Sequence, residues 1–397
     1  MRVFPISTYA PPSERAGNVA YSPQGTDLSR LVKHPDSYLR VLKPRLLQPE
    51  LKAGTEEYLQ TSLGNFRQLL SGEVLISHGP AFWFYEQKSP EGKRFTGWIA
   101  GISAKDYEDG KIKKHENTLH DKEAALAAHI GILHSVAEPV LLSGKLPENL
   151  REASASMVHS EPDIHFIDSG GKMHSLWEVR DDAICREIRE GFGAIPALYI
   201  ADGHHRTAAT CLYIRNSGLD PAKNGIMALI MDEDELIIKS FHRIIHEDAP
   251  AQKLEETCRT MGWEFRKLSD KALPEEQNAI RAFSKEGSFL LRPGNPAKMP
   301  DAASALDVAR LEDEIFPSLF GIQNSRIDSR ISFLRGDTPD ETLSQMVANA
   351  GKGWIFAVPP NSMADIRRVA DEGLVMPPKS TWVEPKLMSG MLIMRFI

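Results

Sequence analysis

Five consecutive residues, Asp202-Gly203-His204-His205-Arg206, place a carboxylate, a glycine, two imidazoles and a guanidinium within one short stretch. Glycine accepts backbone angles that side chains resist, so it suits a tight turn. A helix that starts after such a turn offers free N–H groups and a positive dipole end, where anions bind. Arg206 adds a forked donor for phosphate or carboxylate. Three chemistries use these residues: a phosphate or nucleotide site, a metal site built on Asp202, His204 and His205, and a purely structural hydrogen-bonded turn. Neighbouring histidines point in different directions, which favours phosphate over metal.

Three further clusters carry polar chemistry. In His115-Glu116-Asn117-Thr118, Glu116 is a candidate general base, while Asn117 or Thr118 could simply cap the following helix. Lys379-Ser380-Thr381, with Lys386 close behind, follows two prolines and suits either an anionic group or an ordinary exposed strand. His242-Arg243 reads as a solvated strand edge or as a pocket lining. Asp328, Arg330 and Arg335 read as surface pairs.

The elements that must position these groups are legible from periodicity. Residues 195–200 form an apolar run expected as a buried strand, and residues 207–214 as the helix that follows. Residues 81–87 and 94–102 read as a hairpin, and 121–134 as an alanine-rich helix. A second hairpin is expected over 164–179, and strands over 225–231, 236–246 and 289–292. Helices are expected over 51–70, 181–192, 251–261, 275–283, 303–316, 339–350 and 363–371. The segment up to Gly25 is expected as a surface loop after an initial strand. Strands and helices mix without strict alternation, which predicts an α+β fold.

A chain of 397 residues is long for one core. The expected division is an N-terminal α+β region (1–105), a nucleotide-binding core (106–248) and a C-terminal α+β domain closing the site (249–397). The net charge of −7 argues against general nucleic-acid binding, which asks for a basic excess. Cys185, Cys211 and Cys258 are far apart and read as core thiols rather than disulfide or zinc ligands. No apolar run approaches the roughly 18 residues of a membrane span, and the N-terminus lacks a signal-peptide pattern, so the expected location is cytoplasmic. Oligomeric state is left open.

The chain resembles a widespread prokaryotic family catalogued as domain of unknown function 1015. The resemblance rests on Asp202-Gly203-His204-His205-Arg206, on His115-Glu116-Asn117-Thr118 after Asp106-Tyr107, and on His242-Arg243. It rests also on Met376-Pro377, Lys379-Ser380-Thr381, Pro385-Lys386-Leu387 and Ser389-Gly390. Two positions depart from the family's pattern. Thr207 stands where an aromatic is usual, and Ala20-Tyr21-Ser22-Pro23 occupies the place of a proline-tyrosine-aspartate turn.

The Asp-Gly-His-His-Arg turn in its turn resembles the phosphate-binding turn of the ParB/sulfiredoxin superfamily, which includes free-serine kinases. This implies a ParB/sulfiredoxin-like mixed-sheet core with ADP, ATP or another nucleotide bound over Gly203, His204, His205, Arg206 and Thr207. Lys379, Ser380 and Thr381 are expected to join them, closing the pocket from the C-terminal domain. By role, Glu116 matches the kinases' base. The expected catalytic set is Glu116, His205 and Asp202, with Mg2+ on Asp202 or Glu116. The expected activity is phosphoryl transfer to a small hydroxylated metabolite such as a free amino acid. A nucleotide-binding switch or scaffold and a metal-dependent hydrolase are the alternatives.

Overall fold

The computed structural model describes residues 1–22, 27–268, 279–295 and 299–396. Contacts divide the chain into two compact units, Met1–Leu236 with Pro385–Ile397, and Ile237–Glu384. The architecture is mixed α+β. The units are drawn differently from the three regions expected from sequence. Residues on both sides of position 105 share one sheet, and the last residues of the chain return to it.

The first unit is built on a twelve-stranded mixed sheet. Its path runs through Ile112–Lys113, Leu198–Asp202, Val140–Gly144, Gly225–Asp232, Arg94–Ser103, Ile76–Lys88, Ile6–Ala10, Ile393–Arg395 and Ser135–Val136. The aromatic run Phe82-Trp83-Phe84-Tyr85 is fully buried at its centre. Each such side chain contributes roughly 1.5–3 kcal/mol by leaving water. The hairpin Ile76–Lys88/Arg94–Ser103 pairs antiparallel as expected, as does Ile164–Ile167 with Met173–Val179. A buried chain of hydrogen bonds stitches the second hairpin to the first: Tyr85 Oη meets His174 Nδ1 at 2.8 Å, and His174 Nε2 meets Asp168 Oδ2 at 3.3 Å. Local signals start the helices. Asp181 accepts from the backbone N–H groups of Ala183 and Ile184 and so caps Asp182–Gly193.

The parallel pairs decide where the site falls. Leu198–Asp202 runs parallel to Ile112–Lys113 and antiparallel to Val140–Gly144. The residues after Lys113, those after Asp202 and those before Val140 therefore emerge at one end of the sheet.

The second unit carries a six-stranded antiparallel sheet ordered Glu264–Lys267, Gly287–Arg292, Ile280–Ser284, Trp354–Ala357, Phe241–Ile245 and Ile331–Arg335. Both its faces are covered. Phe356 packs with Leu254, Cys258, Phe316 and Ile366, while its neighbour Ile355 packs with Phe283, Leu343 and Val347. Ile237–Lys239 and Trp382–Glu384 form a separate two-stranded ribbon.

Three sequence expectations are corrected. Ser13–Val19 is a helix where a loop was expected; it buries Ala16 and Val19. Residues 280–283 lie in the strand Ile280–Ser284, because Ile280 and Ala282 face one core and Phe283 the other; positions 275–278 of the expected helix lie outside the described residues. The helix expected from 303 begins at Asp307 and passes through a π-turn at Leu311–Ile315. The three cysteines are free and buried, as expected. Among the described residues, no helix is long and apolar enough to cross a membrane.

Candidate functional site

The turn opens at Gly203, whose φ of +102° lies in the left-handed region. A Cβ at this position would come within 2.8 Å of Arg206 Nη2, so the absent side chain lets the guanidinium fold back across the turn. The helix is His204–Asn216 and starts three residues earlier than expected, putting both imidazoles and the guanidinium in its first turn. No side chain caps it. Its first N–H groups are therefore available to a ligand. Thr207, at the unusual position, is buried and donates its hydroxyl to the Gly203 carbonyl at 3.1 Å.

Asp202 organises the cations. Its Oδ1 accepts from Lys386 Nζ and its Oδ2 from Arg206 Nη2, each at 2.8 Å. Arg206 Nη1 pairs with Glu138, whose other oxygen accepts from Ser389 Oγ at 2.7 Å. Arg206 Nε is buried without a hydrogen-bond partner. Burial pushes the guanidinium down to about 10, which leaves it charged at neutral pH.

The parallel pairing brings His115 and Glu116 to this turn. The His115 and His204 rings meet edge to face, with centroids 4.5 Å apart. His204 Nε2 accepts from the His115 backbone N–H at 3.4 Å, so Nδ1 carries the proton. That proton faces Glu116 Oε2 at 3.7 Å. His205 Nε2 accepts from the Leu119 N–H at 3.2 Å, leaving its Nδ1–H free to donate. Burial holds His204 well below the ordinary imidazole range, helped by His115, His205 and Lys114; burial alone pushes His115 down to about 4. Both are neutral at pH 7. His204 therefore brings no full charge to the turn. Both ring nitrogens of His115 are buried and unpartnered.

Glu116 stands half exposed. Among the described residues, no three His, Cys, Asp or Glu side chains gather as a metal centre requires. Asp202 is already neutralised by two cations, which makes it a poor metal ligand. The hydrolase alternative asks His204, His205 and Asp202 to converge, and each is instead committed to a different partner.

Lys379, Ser380 and Thr381 belong to the second unit. There Lys379 is exposed with φ +54°, its carbonyl accepts from Arg243 Nη1 at 3.0 Å, and Ser380 Oγ donates to the Pro377 carbonyl at 2.7 Å. Thr381 is half-buried. His242-Arg243 is buried rather than solvated: His242 is 2% exposed and Arg243 is 0% exposed. Glu138 is the site residue that sequence reasoning passed over. A single acid before Pro139 carries no local signal; the sheet pairing alone places it against Arg206. Asp106, quoted only as a family mark, turns out to anchor the N-terminal strand. Burial raises its carboxyl, but the Arg2 N–H and the Lys111 ammonium outweigh that and hold it below the ordinary value.

A family described as "Protein of unknown function (DUF1015)" matches residues 22–309. The chain belongs to that family. The match spans the turn, the Glu116 segment and Glu138, so the site just described lies mostly within the family's domain. No curated protein matches the sequence. Among solved structures, the chain is similar to an ADP complex of a free serine kinase mutant, at 13% identity over 73% of this chain and 91% of that one, with a TM-score of 0.39. It is similar to a C-terminally truncated SbnI from Staphylococcus aureus, at 10% identity over 72% and 82%, with a TM-score of 0.38. A conserved hypothetical protein from Pyrococcus furiosus gives 14% identity over 73% and 94%, with a TM-score of 0.34. Likenesses this distant carry no statement about activity.

Proposed function

We propose that this family member is a nucleotide-dependent phosphotransferase acting on a small hydroxylated metabolite. One observation carries the reading: an uncapped helix start, opened by a left-handed glycine, meets a half-exposed carboxylate where two parallel strands end. Ligands of open sheets gather at such carboxyl ends. The N–H groups of the first helical turn and Arg206 receive the phosphates of ATP or ADP. His205 donates from Nδ1 to a phosphoryl oxygen. Glu116 takes the proton of the acceptor hydroxyl, the hydroxyl oxygen bonds to the terminal phosphorus, and the nucleotide leaves one phosphoryl group shorter. His204, held neutral between the His115 N–H and Glu116, orients that carboxylate. Asp202 keeps Arg206 and Lys386 in place. Mg2+, which screens phosphate charge when bound, would be held chiefly by the phosphates, with Glu116 reaching it through water.

The test is Glu116→Gln, followed by nucleotide titration and by turnover against a panel of hydroxylated metabolites. Binding is expected to persist while turnover falls by about 10²–10⁴-fold. Unchanged turnover would remove Glu116 as the base. A nucleotide-binding switch is the second reading. It is favoured by one feature: both cations at the turn already carry acidic partners, so an arriving phosphate exchanges ion pairs. For a switch, the substitution changes neither binding nor turnover.

A further inference from the structure

The first unit contains a cavity of about 380 Å3 beside the turn. Arg206, Glu138 and Ser389 line it, so the guanidinium belongs both to the turn and to the cavity wall. The rest of the lining is largely apolar, with Leu42, Leu126, Ile130 and Leu133 among it, and three buried tyrosines stand in the wall. Two of them reach polar partners. Tyr58 donates its hydroxyl to the Leu42 carbonyl at 2.8 Å, and the Tyr21 phenol leans on the Ser389 hydroxyl, which itself donates to Glu138. A relay thus runs from Tyr21 through Ser389 and Glu138 to Arg206. The third, Tyr38, is fully buried. Its Oη and the Ser135 Oγ lie against one another, both shielded behind the cavity wall.

We propose that this cavity receives the base and ribose of the nucleotide whose phosphates lie on the 203–206 turn; the proposal rests on the phosphate-binding part of the reading above. The volume falls within the range of about 300–1,000 Å3 usual for small-molecule pockets. The apolar wall suits the faces of a flat heterocycle. Glu138 and Ser389, between cavity and turn, are acceptors for sugar hydroxyls. A free amino acid is polar along its length and would leave most of the apolar wall bare, so the acceptor is the poorer occupant.

Ala53 lines the cavity from an exposed position, and Ala53→Trp blocks it without disturbing the core. Calorimetry would compare tripolyphosphate with the four common nucleoside triphosphates, on the parent and on A53W. At least one triphosphate is expected to bind the parent about tenfold or more tighter than tripolyphosphate, an advantage of roughly 1.4 kcal/mol. In A53W that advantage should fall to about threefold or less, with tripolyphosphate affinity unchanged. If tripolyphosphate binds but no nucleotide binds tighter, or if A53W keeps the full advantage, the cavity proposal is overturned alone. If tripolyphosphate does not bind the parent, the phosphate turn itself falls, and the cavity proposal with it.

Discussion

The chain contains two His-Arg pairs, and the fold treats them in opposite ways. Arg243 is saturated. Its Nε and Nη2 meet Glu312 at 2.9 and 2.7 Å, and its Nη1 and Nη2 reach the carbonyls of Phe241, Lys379 and Pro378 at 2.7–3.0 Å. Every nitrogen has a partner and no part of the side chain meets water. Such a guanidinium holds chain segments together, including the left-handed backbone at Lys379. Arg206 is bonded on one side and unfinished on the other: Nε lacks a partner, the helix beside it is uncapped, and a cavity lies against it. The dipeptide is the same, and the difference lies in whether the donor set is closed. A closed set is architecture, whereas the open one beside a cavity is what the proposed function gives to a ligand.

The contrast breaks first on stability. Arg243→Ala leaves Glu312 buried without its cation, and unfolding free energy should drop by about 3–5 kcal/mol, read from the denaturant midpoint. Arg206→Ala should cost less stability, because Asp202 keeps Lys386 and Glu138 keeps Ser389 as donors. Its effect belongs to binding: ATP affinity should weaken by about 1.5–3 kcal/mol, roughly tenfold to a hundredfold, in a calorimetric titration. Equal affinity in the two proteins would end the distinction drawn between the arginines.

Gly203→Ala probes the open site from the backbone. A side chain at φ +102° is strained and would press on Arg206 Nη2. A loss of roughly 1–2 kcal/mol in stability is expected, together with weaker nucleotide binding, seen by thermal melting with and without ligand. A melt and affinity both like the parent's would contradict the close approach.

The smallest effect concerns the imidazoles. Burial pushes His242 down to about 4, with Arg281 and Arg243 acting the same way and Asp337 opposing; burial brings His115 to about 4 as well. Above about pH 6.5 these rings are neutral whether the chain is folded or not, and they cost nothing. As pH falls towards 4 the unfolded chain takes up protons that the folded one refuses. Stability should then decline by about 1.4 kcal/mol per pH unit for each such histidine. Denaturation at pH 7, 6 and 5 measures the slope, and His242→Gln should lower it by one histidine's share. A slope unchanged by that substitution would mean His242 is not held neutral.

Much of this was readable beforehand. An apolar run, a glycine and an alanine-rich segment announced strand, turn and helix around 195–214, because local conformational preference decides such units. The Thr207 departure was visible too, although its meaning, a hydroxyl folded onto the Gly203 carbonyl, needed coordinates. Local signals failed where distant partners outvoted them. Residues 280–283 became a strand because two cores claim alternate side chains, and the 13–19 segment became a helix by burying Ala16 and Val19.

Sequence alone determined which groups could carry chemistry: Asp202, His204, His205, Arg206 and Glu116 were named from type and spacing. Only tertiary structure decided which of them meet and in what state. Pairing of Ile112–Lys113 with Leu198–Asp202 brought Glu116 to the turn, and pairing with Val140–Gly144 brought Glu138, an acid with no signal of its own. Burial then set His204 neutral and left Arg206 Nε unpartnered. Proximity between residues 89 positions apart, and the dielectric around them, are properties of strand order and packing, which no local window of sequence contains.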